Sequence, residues 1–327
     1  MIKAQLWLPW LVWLAACSSL SSPEPAARPD PLIGQIYQSG SLREPGQVMS
    51  QATQTDLIFL GETHDNLRHH QIQAQVIQHL VAQGKKPTLA FELFEANQTA
   101  ELMAYTTAHP KDPQAAEAKL RKRLGWEKQD QWAGYHDLLL LARQEGLDVA
   151  AMDLPSALKR RLTKKNLAEL SSAERAQLPN YHSPSEAYRL AMFDAFTEGH
   201  CGWSDPQLMA GLYRVWLARN QAMADQLALL LDAGGPVVVI LGNGHQQWGL
   251  GVPERIGQMR PQARQFQLAI MEVDIKPRPL AEYFEHTHSA GVDLGPSFEW
   301  LWFTDRHSWV DPCQRFKESL SRHPQKK

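Results

Sequence analysis

The amino-acid sequence predicts an α/β protein in which a mostly parallel β-sheet is flanked by helices and carries a smaller all-helical insertion domain. Short apolar runs rich in β-branched and aromatic residues alternate with stretches of helical periodicity, which is the pattern of βαβ units. The run at 236–241 is apolar throughout, as a central strand of a parallel sheet is. Between 171 and 232, helical patterns follow one another without an intervening strand, which predicts the insertion.

The size and charge of the chain limit the classes of function. Its 327 residues are enough for one large domain with an insertion. The formal net charge of -2, from 33 basic and 35 acidic residues, gives no field that favours nucleic acid. We therefore expect no nucleic-acid partner.

The first residues are typical of a bacterial secretion signal. A basic start precedes an apolar segment too short to remain as a membrane-spanning helix, and Leu-Ala-Ala-Cys at 14–17 resembles a lipobox. We expect a lipoprotein signal peptide over 1–16, lipidation of Cys17 and a flexible tether over 17–31. Ser18 rather than an acidic residue favours anchoring in the outer membrane, on its periplasmic side. The alternative is an ordinary signal peptide that contains a cysteine.

The expected location outside the cytoplasm bears on the state of the other two cysteines. In an oxidising compartment, Cys201 and Cys313 are an even pair, which favours a disulfide over a metal site. The alternative is two unpaired, buried thiols.

An α/β domain is expected over 32–170 and 233–313, followed by a charged tail over 314–327. Residues 32–37 predict a short edge strand or hairpin. Apolar runs that end at polar residues predict core strands at 57–60, 88–92, 148–153, 236–241, 267–273 and 299–303. Helical spacing predicts helices at 67–81, 98–107, 135–144, 156–170, 184–196 and 206–231.

Acidic and imidazole side chains follow the predicted strands where these end. Glu62 and His64 follow the first core strand, Glu92 follows the second, and His245 follows the most apolar one, with Asp153 as a further candidate. Because the carboxyl ends of parallel strands meet at one edge of a sheet, we expect these groups to lie close together.

Two carboxylates and two imidazoles suit either acid–base catalysis or a transition metal. A hydrolase, possibly a metal-dependent peptidase or esterase, is therefore an alternative function, with Glu62, His64, Glu92 and His245 as its residues. No His-x-x-x-His spacing indicates a metal, and no Gly-x-Ser-x-Gly element indicates a serine nucleophile. Each of these residues taken singly is explained more simply as a helix cap or the partner of a backbone amide.

Further candidates lie on the helices. His69 and His70 fall in the first turns of the helix after His64, where a solvated polar face is an equally good interpretation. Tyr181 and Tyr213 in the insertion are able to bind haem iron as phenolates, although tyrosine more often packs in a core or at its rim.

Residues 61–70 resemble the Gly-Glu-x-His-Asp-Asn-x-x-His-His signature of the ChaN-like haem-binding lipoproteins, the haem-uptake branch of the Tiki superfamily. The resemblance extends over about 32–313. Its further matches are Phe91-Glu92, Gly199-His200-Cys201-Gly202, Met223-Ala224, Gly242-Asn243-Gly244-His245, Gly251-Val252-Pro253 and Asp311-Pro312-Cys313.

The resemblance implies a parallel sheet with a smaller helical domain and a haem-binding protein rather than an enzyme. It also implies iron acquisition beside an outer-membrane haem receptor, and a haem-induced homodimer with two stacked haems. In this arrangement a tyrosine binds each iron, and Tyr213 is preferred over Tyr181 for that role. The other residues expected to contact haem are His64, His69, His70 and His245.

Two departures from the family pattern concern the haem site. Over 215–224 the sequence Val-Trp-Leu-Ala-Arg-Asn-Gln-Ala-Met-Ala lacks a Gln and an Asp of the family pattern. Between His245 and Gly251, where the family often has Asp and then Tyr, this chain has Gly249 and Leu250. If the family's iron ligand is that tyrosine, this chain lacks it.

Overall fold

A computed structural model describes residues 30–182 and 184–314. The predicted signal peptide, Cys17 and nearly all of the predicted tether and charged tail lie outside these residues. None of the helices within the two ranges combines the length and apolar composition needed to cross a membrane.

The first half of the chain alternates between strands and helices. In chain order its elements are β1 (Ile36–Gln38), β2 (Ser41–Arg43), α1 (Pro45–Thr53), β3 (Leu57–Glu62), α2 (Leu67–Ala82), β4 (Thr88–Glu95), α3 (Thr99–Thr107), α4 (Pro113–Leu124), α5 (Trp132–Glu145) and β5 (Val149–Asp153).

The second half begins with helices and returns to strands. Its elements are α6 (Ser156–Lys164), α7 (Ser172–Arg175), α8 (Glu186–Gly199), α9 (Pro206–Ala233), β6 (Val237–Gly242), α10 (Val252–Met259), β7 (Gln265–Glu272), β8 (His286–Ser289), β9 (Val292–Pro296) and β10 (Trp300–Thr304).

Eight strands form one sheet in the order β2-β1-β10-β7-β3-β6-β4-β5. All pairings from β10 to β5 are parallel, whereas β1 near the edge pairs antiparallel with both β10 and β2. The predicted mostly parallel sheet flanked by helices is therefore confirmed. The register pairs Glu62 with Gly242 and Glu95 with Asp153, which brings the ends of four strands to the same edge.

Side chains that alternate along each strand bury both faces of the sheet. Ile58 and Leu60 pack with α1, α2 and α5 on one face, whereas Leu57 and Phe59 pack with α9 and α10 on the other. All four side chains are fully buried. A strand buried on both faces is apolar throughout, which explains the unbroken apolar runs in the sequence.

The helix α9, which is 28 residues long, packs both on the sheet and against the other helices of the helical segment. The second half of α9 packs on the sheet through Met223, Ala224 and Leu227, and its first half packs with α6 and α8. A disulfide joins Cys201, just after α8, to Cys313, as expected. The boundaries of the insertion stay a prediction.

Two local expectations were wrong. The helix predicted over 156–170 ends at Lys164, because the side chain of Asn166 accepts hydrogen bonds from Ala168 and Glu169 and starts a separate short 3₁₀ helix. The β8–β9 hairpin was not predicted, since its sequence His-Thr-His-Ser lacks an apolar face.

Candidate functional site

Glu62, His64, Glu92, Asp153 and His245 line the carboxyl edge of the sheet, which is called the crevice below. Its first side is built around Glu62, the last residue of β3. Its Oε1 atom accepts hydrogen bonds from Nδ1 of His64 at 2.9 Å and from the Tyr135 hydroxyl, and its Oε2 accepts one from Nε2 of Gln73 at 2.8 Å. Burial alone raises the pKa of Glu62, but the bond from His64 and the nearby His70 outweigh it and lower that pKa. The carboxylate is therefore ionised and held in one orientation.

His64 is the part of the cluster that solvent reaches, with 35% of its side chain exposed. Its Nε2 lies 3.8 Å from Oε1 of Glu92. The same nitrogen lies close to Gly242, where an added Cβ would be 3.0 Å from Nε2 of His64. Burial lowers the pKa of His64, but Glu92 and Glu62 raise it further, to about 9. At neutral pH the ring is an imidazolium whose Nε2–H faces the crevice.

Glu92 lies at the centre of the site and is almost fully buried. Its Oε1 accepts from Arg219 at 2.7 Å and lies 3.2 Å from Nε2 of His245, while its Oε2 accepts from the backbone N–H of Gly242 at 2.5 Å. Burial raises the pKa of Glu92, yet His245, Arg219 and His64 together hold it well below the usual value. Every oxygen of this carboxylate is thus engaged.

Arg219 on α9 links two strand ends. One of its nitrogens donates to Glu92, and Nε donates to Oδ1 of Asp153 at 2.9 Å. Lys159 donates to the other oxygen of Asp153. Burial lowers the pKa of Arg219, but the two carboxylates raise it overall, so the guanidinium is charged at any physiological pH. Asp153 is thereby part of the site, as expected.

His245 lies on the far side of Glu92. Its Nδ1 is 2.5 Å from Oδ1 of Asn220, and the indole of Trp216 stacks on its ring at 3.9 Å. Burial lowers the pKa of His245 against the opposing effect of Glu92. As placed, Oδ1 of Asn220 accepts from a protonated Nδ1. With the amide oxygen and nitrogen of Asn220 exchanged, which also pairs its otherwise unpartnered Nδ2, Nδ1 accepts and a neutral ring donates to Glu92 through Nε2.

His69 and His70 point into the protein. Nδ1 of His69 accepts from the backbone of Thr63 and its Nε2 contacts Thr304, while burial lowers the pKa of His69 to about 3. His70 uses one ring nitrogen for Gln73 and the other for the backbone carbonyl of His64. Both residues hold the loop that carries His64, and neither has a ring nitrogen left for a ligand in this arrangement.

The glycines beside the site are required by close contacts. An added Cβ on Gly61 would lie 2.0 Å from Nε2 of Gln246 and 2.1 Å from Oδ1 of Asn243. On Gly134 of α5 it would lie 2.0 Å from Cδ2 of His70. The bare backbone at Gly61 therefore lets the loop after β6 pack against β3, and the bare backbone at Gly134 lets α5 pack against His70 on α2.

The two candidate tyrosines belong to an aromatic cluster under α8 and α9. Tyr213 is only 6% exposed and packs against Tyr188 and Phe193. The hydroxyl of Tyr181 is buried and has no hydrogen-bond partner among the residues that the structure describes. The cluster reaches the crevice through Trp216, whose indole N–H donates to the hydroxyl of Tyr188.

The structure brings together Glu62, His64, Glu92, Asp153 and His245, as the sequence predicted. Within 30–182 and 184–314, no three His, Cys, Asp or Glu side chains are placed to hold a metal ion. The carboxylates are buried and accept hydrogen bonds from cations, from side-chain or backbone amides, or from the Tyr135 hydroxyl. His64 is the member of this cluster that solvent reaches.

Sequence reasoning missed Arg219, Lys159, Asn220, Trp216 and Tyr135. Arg219 had a usable signal, because it lies four residues before Met223 on the apolar face of a long helix, where an arginine must find a buried acid. The others had none, since their roles depend on which elements pack together.

Known proteins resemble this chain in sequence and in fold. A profile of the family described as haem-binding uptake, Tiki superfamily, ChaN matches residues 48–256. The structure of ChaN of Campylobacter jejuni, described as showing cofacial haem binding, has a TM-score of 0.59 and 16% identity, over 82% of this chain and 95% of that one.

More distant structural similarity extends to other proteins. The type III effector HopBA1 has a TM-score of 0.43 and 12% identity, over 88% of this chain and 100% of that one. An erythromycin esterase mutant, EreC, has a TM-score of 0.44 and 12% identity, over 80% and 81%. No functionally curated protein matches the chain in sequence.

Proposed function

Because the chain belongs to the haem-binding uptake family of the Tiki superfamily, we propose that it binds haem and assists haem uptake at the outer membrane. The observation that carries the proposal is the family match over 48–256, which includes β3, β4, β5 and β6 and therefore every residue of the crevice. In this proposal haem is the cargo of the protein.

The crevice offers a contact for the haem carboxylates. His64 is partly exposed, is protonated at neutral pH and is held by Glu62, so its Nε2–H is directed and positively charged. A charge-assisted hydrogen bond to a propionate suits such a donor. The pairing of Glu92 with Arg219 reduces the repulsion that a second carboxylate would otherwise meet there.

Tyr181 is the better candidate for the iron ligand. Its hydroxyl makes no other hydrogen bond in the described part of the chain, and Arg214 opposes the rise in pKa that burial causes. Tyr213 is more enclosed by aromatic rings. Because the Tyr181 hydroxyl is also buried, ligation requires the side chains around it to move aside.

Hemin titration of the purified protein tests the proposal. We expect a saturable shift of the Soret band at micromolar hemin, and loss of the phenolate-to-iron charge-transfer absorbance in Tyr181→Phe. Tyr213→Phe should keep that absorbance, and Tyr37→Phe on β1 is the control outside the aromatic cluster. Absence of a saturable Soret shift in the unchanged protein would disprove haem binding.

The anchoring, the partners and the oligomeric state form the second part of the proposal. We infer a lipid anchor at Cys17 on the periplasmic face of the outer membrane, an outer-membrane haem receptor as partner, and a homodimer that forms when haem binds. Incorporation of labelled palmitate into the full chain but not into Cys17→Ser tests the anchor. Light scattering with and without hemin tests the dimer, and crosslinking in cells tests the receptor.

A further inference from the structure

A second cavity lies near the start of β7, away from the crevice. Its volume is about 450 Å³, which is within the usual range for small-molecule sites. It is bounded by the loop after β6, by the end of β9 and by the first residues of β10. Its chemistry is set by four amides, one carboxylate and several aromatic rings, among them Gln38, Gln51, Gln267, Trp248, Phe298 and Glu299.

The polar groups of this cavity are almost all uncharged. Glu299 is the one charged residue among the described residues that line it, and its Oε1 already accepts from Nε2 of Gln38 at 2.8 Å. The side-chain amides of Gln51 and Gln267 make no hydrogen bond to any residue in the described ranges. Each amide has an NH₂ group that donates and a carbonyl oxygen that accepts, so it is able to pair with a ligand hydroxyl group as donor or as acceptor.

The aromatic groups of the cavity are held in fixed positions. Trp248 is half-buried, and its indole N–H donates to Oγ1 of Thr287 at 3.0 Å. Its backbone has a positive φ of 59° and its N–H donates to the Ser297 carbonyl at 2.8 Å. A bulky side chain rarely adopts this conformation, which is found mainly where the surrounding structure enforces it.

We propose that this cavity binds a neutral saccharide. Amide side chains match the alternating donor and acceptor character of sugar hydroxyls, and the aromatic residues of the lining supply apolar surface for the C–H groups of a pyranose. Anionic ligands are disfavoured, because the described residues that line the cavity include one carboxylate and no cation. The site differs from the crevice in residues and in ligand chemistry, so the inference does not depend on haem binding.

Titration of the purified full chain with cellobiose and with N,N′-diacetylchitobiose, followed by tryptophan fluorescence and calorimetry, tests the site. We expect saturable binding of at least one disaccharide with a Kd in the millimolar range or tighter. The pair of probes distinguishes unsubstituted hexoses from amino sugars, since only the second carries acetamido groups. Indole serves as a neutral aromatic probe without hydroxyls.

Gln267→Leu removes one amide with little change of volume and should weaken saccharide binding about fivefold, the effect of losing one hydrogen bond. Gln258→Leu on α10, outside the cavity, should leave the affinity unchanged, and circular dichroism should show both variants folded. If neither disaccharide saturates by about 50 mM, if only indole binds, or if both variants behave alike, the proposal is overturned.

Discussion

Nδ1 of His64 lies 2.9 Å from Oε1 of Glu62, and this contact directs the other ring nitrogen toward the crevice. Glu62 is itself held by Gln73 and Tyr135, so the imidazole is oriented by residues from two helices. A donor fixed by its second hydrogen bond loses little conformational freedom when it binds a ligand.

His64→Gln should weaken hemin binding at neutral pH about tenfold, or about 1.4 kcal/mol, because a charged donor to a propionate is lost. Absorbance titration at several hemin concentrations measures the Kd. His79→Gln, near the end of α2, is the control. An unchanged Kd in His64→Gln would remove His64 from the haem contacts.

The stability contributed by His64 should depend on pH. The pKa of His64 is raised from 6.5 to about 9 in the folded protein, so this stabilisation is complete below about pH 6.5 and is lost as the pH rises through about 9. Urea unfolding of the unchanged protein and of His64→Gln measures it across that window. The difference in the free energy of unfolding should shrink at alkaline pH, whereas a constant difference would contradict the assignment.

Arg219→Met should lower the free energy of unfolding by about 3 kcal/mol, because it leaves Glu92 and Asp153 buried without their shared cation. Arg264→Met is the control. That arginine pairs with Asp56 at the surface, with 66% of its side chain exposed, so its loss should cost less than about 1 kcal/mol. Equal effects of the two substitutions in urea unfolding would show that the buried network is not stabilising.

Gly134→Ala should destabilise the protein by about 1–3 kcal/mol, since the new methyl group overlaps the ring of His70. Gly46→Ala on α1 is the matched control, because an added Cβ there meets nothing within 4 Å. Thermal unfolding of both variants gives the comparison. A Gly134→Ala protein as stable as the control would mean that α2 and α5 are not in close contact at this point.

Replacement of both Cys201 and Cys313 by serine should lower the free energy of unfolding by about 2–4 kcal/mol, because the disulfide closes a loop spanning 112 residues. The unchanged protein should lose a similar amount when reduced, and the double variant should not respond to reductant. If the reductant has no effect on the unchanged protein, the disulfide does not stabilise the fold.

Part of the site was predictable because it is local in sequence. Glu62, Glu92, Asp153 and His245 all follow apolar runs, and a parallel sheet places such positions at one edge whatever the order of its strands. The same reasoning failed for His69 and His70. Their helical position was expected correctly, but the facing helix α5 and strand β10 decide that both rings are buried and not presented to a ligand.

The sequence by itself determined the core strands, their parallel arrangement, the polar strand ends and the cysteine pair, because periodicity and residue type act over short stretches of chain. Tertiary structure alone decided that Arg219 joins Glu92 to Asp153, that Trp216 covers His245, and that His64 is the imidazole of the crevice that solvent reaches. These relationships join residues from about 30 to more than 100 positions apart, and the packing of α9 on the sheet creates them.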